Sequence, residues 1–266
     1  MQEKTLIFNQ EPIRYWRQPG KDHHPTLFFT HGLLCNHTMF QEQYDYFKGW
    51  SILTWDLPLH GVNKGYTDFS YVEMAEMMDQ ILQQENISQV ILIAQSLGGF
   101  CAQIFAERFP QKVFGLAGIG IGPLGLQYYN SIDQWWLKNT GWMSSFLNPQ
   151  DLRQSIALSA TYSHQAHKKM LAMLENYQDH EILATTDIAF KTLLKENHNI
   201  QRQHPTLLIL GEHDDLGKIS QYTRQWHQEE GIPLKMVVDA GHNANMDNPM
   251  AVNRLLKEFI LDLIYP

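Results

Sequence analysis

Short runs of β-branched and aromatic residues alternate along this chain with longer stretches whose apolar positions recur at helical spacing. That pattern predicts strands followed by helices. Residues 5–8 and 13–16 read as the two arms of a leading hairpin around Asn9-Gln10-Glu11-Pro12, and further strands are expected at 26–30, 51–55, 90–94, 113–119, 206–210 and 234–238. Helical spacing fills 36–47, 69–86 and 100–109, and Pro249 opens a last helix with Val252, Leu255, Leu256 and Phe259 on its inner face. The alternation implies an α/β fold: a mostly parallel eight-stranded sheet flanked by helices, with ligands at the carboxyl ends of the strands.

The alternation breaks between 123 and 204. This block is helix-like and aromatic, carries Tyr128, Tyr129, Trp135, Trp136, Trp142 and Met143, and shows no strand periodicity. It is too long for a loop, so a helical insertion after the sixth strand is expected. Its bulky residues are either the core of the insertion or the wall of a pocket beneath it. His164-x-x-His167 lacks the glutamate of an HExxH site, and no metal or other cofactor is expected.

Composition narrows the partner. The chain has 266 residues, a hydrophobic fraction of 44% and a formal net charge of -8. It can bury a large core, and its acidity argues against a nucleic-acid footprint or a polybasic membrane patch, which leaves a small molecule as the expected partner. Cys35 and Cys101 are its two cysteines, in no metal-type or CxxC spacing. The first ten residues have no signal-peptide core, and the longest apolar stretch, 114–126, falls short of the ~20 residues that span a bilayer. A cytoplasmic protein of unspecified oligomeric state is expected.

Candidate chemistry gathers at strand ends. VILIAQSLGG, residues 90–99, runs from an apolar strand through Gln95-Ser96 into a helix, a corner that would expose the serine oxygen and aim the first helical amides at whatever it attacks. By itself this segment also fits an ordinary serine in a glycine-containing turn. The strand at 26–30 ends in His31-Gly32-Leu33, that at 206–210 in GEHDD, and that at 234–238 in Ala240-Gly241-His242. His31 reads as a structural histidine bonded to loop backbone, and Asp56 and His60 of DLPLHG as fixing loop geometry.

Ser96, Asp214 and His242 thus follow separate strands in the order Ser, Asp, His. With HGLL at 31–34, AQSLGG at 94–99, LGEHDD at 210–215 and AGHNANMDNP at 240–249, the chain resembles the α/β-hydrolase family over nearly its whole length, in particular members with a helical cap. It departs from the usual pattern at Ala94, Leu59 and Asn63. The resemblance implies a core of 1–122 and 205–266 and a cap of 123–204. It also implies a Ser96–His242–Asp214 triad, with the amides of Leu33 and Leu97 as oxyanion donors and Trp135, Trp136, Trp142 and Met143 as pocket residues.

A serine hydroxyl needs an adjacent base, and histidine is suited to take its proton and return it to the leaving group. The implied activity is cleavage of a small or medium carboxylic ester, thioester or lactone through an acyl-enzyme. A serine at 96 argues against the relatives that attack with aspartate there. Two alternatives stay open: a C–C bond hydrolase acting on a carboxylate metabolite, and a slow-turnover ligand-binding protein of the same fold. Relatives that take carboxylate-rich substrates tend to place a basic residue after the elbow glycines, where this chain has Phe100, and nothing in the sequence directs Arg153 inward.

Overall fold

A computed structural model describes residues 1–20, 24–144 and 148–265, without the side chains of 140–144, 149 and 150. Eight strands form one sheet: β1 (Gln2–Phe8), β2 (Glu11–Gln18), β3 (Thr26–Thr30), β4 (Ile52–Trp55), β5 (Val90–Gln95), β6 (Val113–Ile119), β7 (Thr206–Gly211) and β8 (Leu234–Val237). Their order is β1-β2-β4-β3-β5-β6-β7-β8. The β1–β2 and β2–β4 pairs are antiparallel, and every later pair is parallel.

The hairpin turn is tighter than the sequence implies. Asn9 and Gln10 both have positive φ, 48° and 69°, a two-residue turn whose twist matches the strands. Glu11 and Pro12 therefore belong to β2, paired with Phe8 and Ile7. The interior strands β3, β4, β5 and β7 are buried at every position, as expected where helices cover both faces. Their residues divide between the two faces: Leu92 and Ala94 pack with one core and Ile91 and Ile93 with the other.

The helices are α1 (Gln41–Tyr46), α2 (Tyr71–Gln84), α3 (Gly98–Arg108), α4 (Ser131–Ser144), α5 (Pro149–Ala160), α6 (His164–Leu174), α7 (Asp179–Glu196), α8 (Ile219–Glu230), α9 (Ala244–Asp247) and α10 (Pro249–Ile264). The single helix expected at 36–47 is divided. Asn36 caps a 3-10 turn at His37–Phe40, and α1 follows it. Among the described residues, no helix is long and apolar enough to cross a membrane.

Four helices, α4 to α7, lie between β6 and β7, with α4 packed on α7 and α5 on α6. Polar ties join them to the sheet-bearing part. Lys64 Nζ donates to the Asn176 carbonyl at 2.6 Å and to Glu181 at 2.7 Å. The Glu196 carboxylate accepts from Ser70 Oγ, Tyr71 N and Val72 N, satisfying the free amides at the start of α2 with the end of α7. Replacing Glu196 with Ala should lower unfolding stability by about 1–2 kcal/mol, comparable to the loss of a helix cap. Thermal denaturation followed by circular dichroism checks this, and an unchanged midpoint would show that the tie contributes nothing.

Candidate active site

Ser96 sits between β5 and α3 with φ of 48°, a left-handed conformation that a residue bearing a Cβ adopts only under constraint. The constraint is visible: Ser96 N donates to the Ile119 carbonyl at 3.0 Å, and Gly99 N donates back to the Ser96 carbonyl at 2.8 Å. A Cβ on Gly98 would lie 2.6 Å from the carbonyl oxygens of Thr30 and His31, so glycine is required for the helix to start this close to β3. Ala94, where glycine is usual, is fully buried opposite Gly118 of β6.

The loops after β7 and β8 bring two further groups together. His242 is buried, and its Nδ1 lies 3.0 Å from Asp214 Oδ2. A carboxylate accepts, so Nδ1 carries the proton and Nε2 presents a lone pair. That Nε2 is buried and has no hydrogen-bond partner among the described residues. Asp214 is buried whereas Asp215 is exposed, so Asp214 is the acid that meets the imidazole. Gly120 sits beside the pair, where a Cβ would lie 2.9 Å from His242 Nδ1. Gln95 also reaches across, donating from Nε2 to Asn243 Oδ1 at 2.9 Å and to the His242 carbonyl at 3.4 Å.

His31 bonds to loop backbone in the structure, and its bonds have a direction. Leu57 N donates to Nε2 at 2.9 Å, so Nδ1 holds the proton and donates to the Gly32 carbonyl at 2.8 Å. Within a trans peptide the C=O and the next N–H point opposite ways, so holding the Gly32 carbonyl turns the Leu33 N–H away from His31. The amides of Leu33 and Leu97 make no backbone hydrogen bond among the described residues. Asp56 accepts from His37 N, His37 Nδ1 and Val62 N, which ties the loop after β4 to the one after β3 and leaves the carboxylate committed there.

Ser96, His242, Leu33 and Leu97 line one cavity of about 550 Å³ between the carboxyl edge of the sheet and helices α4 to α7. Its roof is apolar, with Leu152 and Ile156 from α5, Met170 from α6, and Ile182, Leu183 and Phe190 from α7. Polar groups in the roof are internally satisfied: Thr186 Oγ1 donates to the Ile182 carbonyl and Ser159 Oγ to that of Ile156. The only Lys or Arg among the described lining residues is Lys218, and it is ion-paired with buried Asp133. Arg153 is not part of the lining, and instead contacts Asp179 and the Tyr177 carbonyl.

Of the expected pocket residues, Trp136 lines the cavity. Trp135 does not. The two rings are about equally exposed, 52% and 51%, and meet edge-on, but Trp135 points about 100° around the helix from Trp136, to the side away from Leu137 and the cavity. The side chains of Trp142 and Met143 lie outside the described residues. Gln95, Gly120 and the roof residues other than Met170 carry no local signal in the sequence, because their partners lie far away in the chain.

A model of the alpha/beta hydrolase fold family matches residues 25–249. The chain belongs to this family. It is an enzyme of the family, and its relatives include a 2-succinyl-6-hydroxy-2,4-cyclohexadiene-1-carboxylate synthase of Serratia proteamaculans, 27% identical over 254 residues, covering 92% of this chain and 96% of that one. Among solved structures, MenH of S. aureus superposes with a TM-score of 0.76 at 16% identity, covering 94% of this chain and 98% of that one. An N-acyl homoserine lactonase complexed with N-hexanoyl homoserine gives a TM-score of 0.74 at 20% identity, covering 100% and 98%. These two structural similarities establish the shared fold.

The histidines behind the Leu33 loop govern behaviour in acid. Burial lowers the pKa of His31 to about 4, and burial followed by repulsion from His31 lowers that of His60 to about 3. Both are neutral in the folded protein while the unfolded chain protonates near 6.5, so folding stability falls as pH drops below 6.5. Each contributes a slope of up to about 1.4 kcal/mol per pH unit. Urea denaturation between pH 6.5 and 5 should show this decline, and His60→Asn should make it shallower. An unchanged slope in the variant would remove His60 from this account.

Proposed function

We propose that this enzyme hydrolyses esters of apolar acyl groups through an acyl-enzyme on Ser96. The observation that carries the reading is the cavity itself: a serine and the unpartnered nitrogen of an Asp-oriented histidine open into an apolar chamber whose one lysine among the described lining residues is neutralised. Such a chamber suits an uncharged acyl chain and disfavours a substrate rich in carboxylates.

The chemistry follows from the groups. Ser96 Oγ attacks the ester carbonyl as His242 Nε2 takes its proton, and Asp214 holds the tautomer and stabilises the imidazolium. The amides of Leu33 and Leu97 receive the oxyanion; loss of one such donor costs about 2.7–4 kcal/mol in other enzymes. His242 then protonates the departing alcohol. Water, deprotonated by the same nitrogen, attacks the acyl-enzyme and releases the carboxylic acid and free serine. Helices α4 to α7 act in this reading as a cap that keeps bulk water from the oxyanion.

A second reading comes from the Serratia relative, whose name describes a carboxylate-bearing product. It calls for a cation at the substrate. Phe100 follows the elbow glycines here, and Lys218 is already paired with Asp133.

A panel of acetate, butyrate and octanoate esters, thioesters and lactones, set beside esters that carry a free carboxylate, separates the readings. The apolar esters should be turned over continuously and preferred, with nearly all activity lost in Ser96→Ala and in His242→Ala and little more lost in the double variant. Preference for the carboxylate-bearing substrates would favour the second reading, and a single stoichiometric release would mark a slow ligand-binding protein.

The two tryptophans should also differ. Trp136→Leu should shift the ranking of acyl lengths by about 1–3 kcal/mol, a graded change, while Trp135→Leu should leave it unchanged. Equal effects in both variants would contradict the placement of Trp136 alone in the pocket wall.

A further inference from the structure

The chemistry proposed above leaves one carboxylate at the edge of the site without a role. Asp247, the last residue of α9, accepts backbone N–H groups from two separate loops. Gly241 N donates to Oδ2 at 2.9 Å, Ser163 N donates to Oδ1 at 2.7 Å, and Tyr162 N lies 3.0 Å from each oxygen. Gly241 immediately precedes His242. Tyr162 and Ser163 form the junction between α5 and α6, next to Ser159 and Ala160 of the cavity lining.

Two contacts repeat the connection. Asn243 N, one residue beyond the base, donates to the Ala160 carbonyl at 2.8 Å. The Tyr162 ring stacks on His213, the neighbour of Asp214, with centroids 4.4 Å apart and planes 7° from parallel. A Cβ on Gly241 would lie 3.2 Å from the Thr161 carbonyl carbon, so the two loops touch through backbone. Ser163 caps α6, so the carboxylate also lies at the positive end of an eleven-residue helix.

We propose that Asp247 is a positioning residue that registers His242 against the roof of the acyl cavity, so that one carboxylate holds both the base and the surface over the acyl chain. The proposal rests on the ester-hydrolase reading. Charge-assisted bonds from three amides are shorter and stronger than neutral ones, and they fix loops that the sheet alone leaves to turn geometry. Asparagine at 247 would keep one acceptor oxygen and turn an amide donor toward an N–H, so at least one of the two loops would lose its hold.

The two consequences are separable in kinetics. In Asp247→Asn, kcat should fall 10- to 100-fold for acetate and octanoate esters alike, because the base is displaced for every substrate. KM should rise at least threefold for octanoate and stay level for acetate, because only the long chain reaches the roof. Amide hydrogen exchange at Gly241, Tyr162 and Ser163 should quicken together. If Asp247→Asn does not fold, Ser163→Pro withdraws the amide that makes the shortest of these bonds together with the hydroxyl that caps α6, and should give the same split at three- to tenfold, while Ser163→Ala, which loses the cap alone, should not.

A folded Asp247→Asn enzyme with kcat within twofold of wild type, or with a change in one parameter alone, would overturn the proposal. So would exchange that quickens at Gly241 but not at Tyr162 and Ser163. Failure of the wild-type protein to turn over any ester would instead overturn the hydrolase reading, and the exchange measurement would still decide whether Asp247 joins the two loops.

Discussion

The corner at Ser96 is the constraint on which the rest of the site depends. A left-handed serine costs on the order of 1–3 kcal/mol and persists only where its surroundings leave no alternative. Those surroundings are the Ile119 carbonyl, which accepts the Ser96 amide, and the carbonyls of Thr30 and His31, which leave no room for a side chain at Gly98. Three adjacent parallel strands, β3, β5 and β6, therefore meet at one residue, and their shared carboxyl edge is where the corner can form.

The same edge assembles the other groups. β7 and β8 continue the parallel sheet beyond β6, so the loops carrying Asp214 and His242 emerge beside Ser96. On the other side the β3 loop turns at Gly32, where the bond from His31 sets the direction of the Leu33 peptide. The close approaches are made by glycines: Gly120 under the imidazole and Gly211 under the Gly241 carbonyl, where a Cβ would sit 2.1 Å from its oxygen. The chemistry is polar and small, and the chamber above it is apolar and large. That contrast is what favours an apolar acyl group in the proposed reaction.

Much of this was legible in the sequence because it is local. Strand runs, helix spacing and the residues just after each strand are read within a window of a few positions, and Ser96, Asp214 and His242 each announce themselves there. Whatever depends on distant partners was not legible. Gln95 reads as an ordinary residue of the elbow, and its partner Asn243 lies 148 positions away. Trp135 and Trp136 are indistinguishable in sequence, since the way α4 is rotated against α7 decides which ring meets the cavity. The split of 36–47 into a 3-10 turn and α1 likewise depends on how Asn36 caps its own loop rather than on apolar spacing.

The proposed reaction depends on covalent chemistry at one oxygen. Rapid acid quench during turnover of a butyrate ester, followed by peptide mass spectrometry, tests this directly. A single butyryl group on the peptide that bears Ser96, absent from Ser96→Ala, is the predicted result. Sustained hydrolysis with no acyl group on the protein, or with the group on another residue, would contradict it.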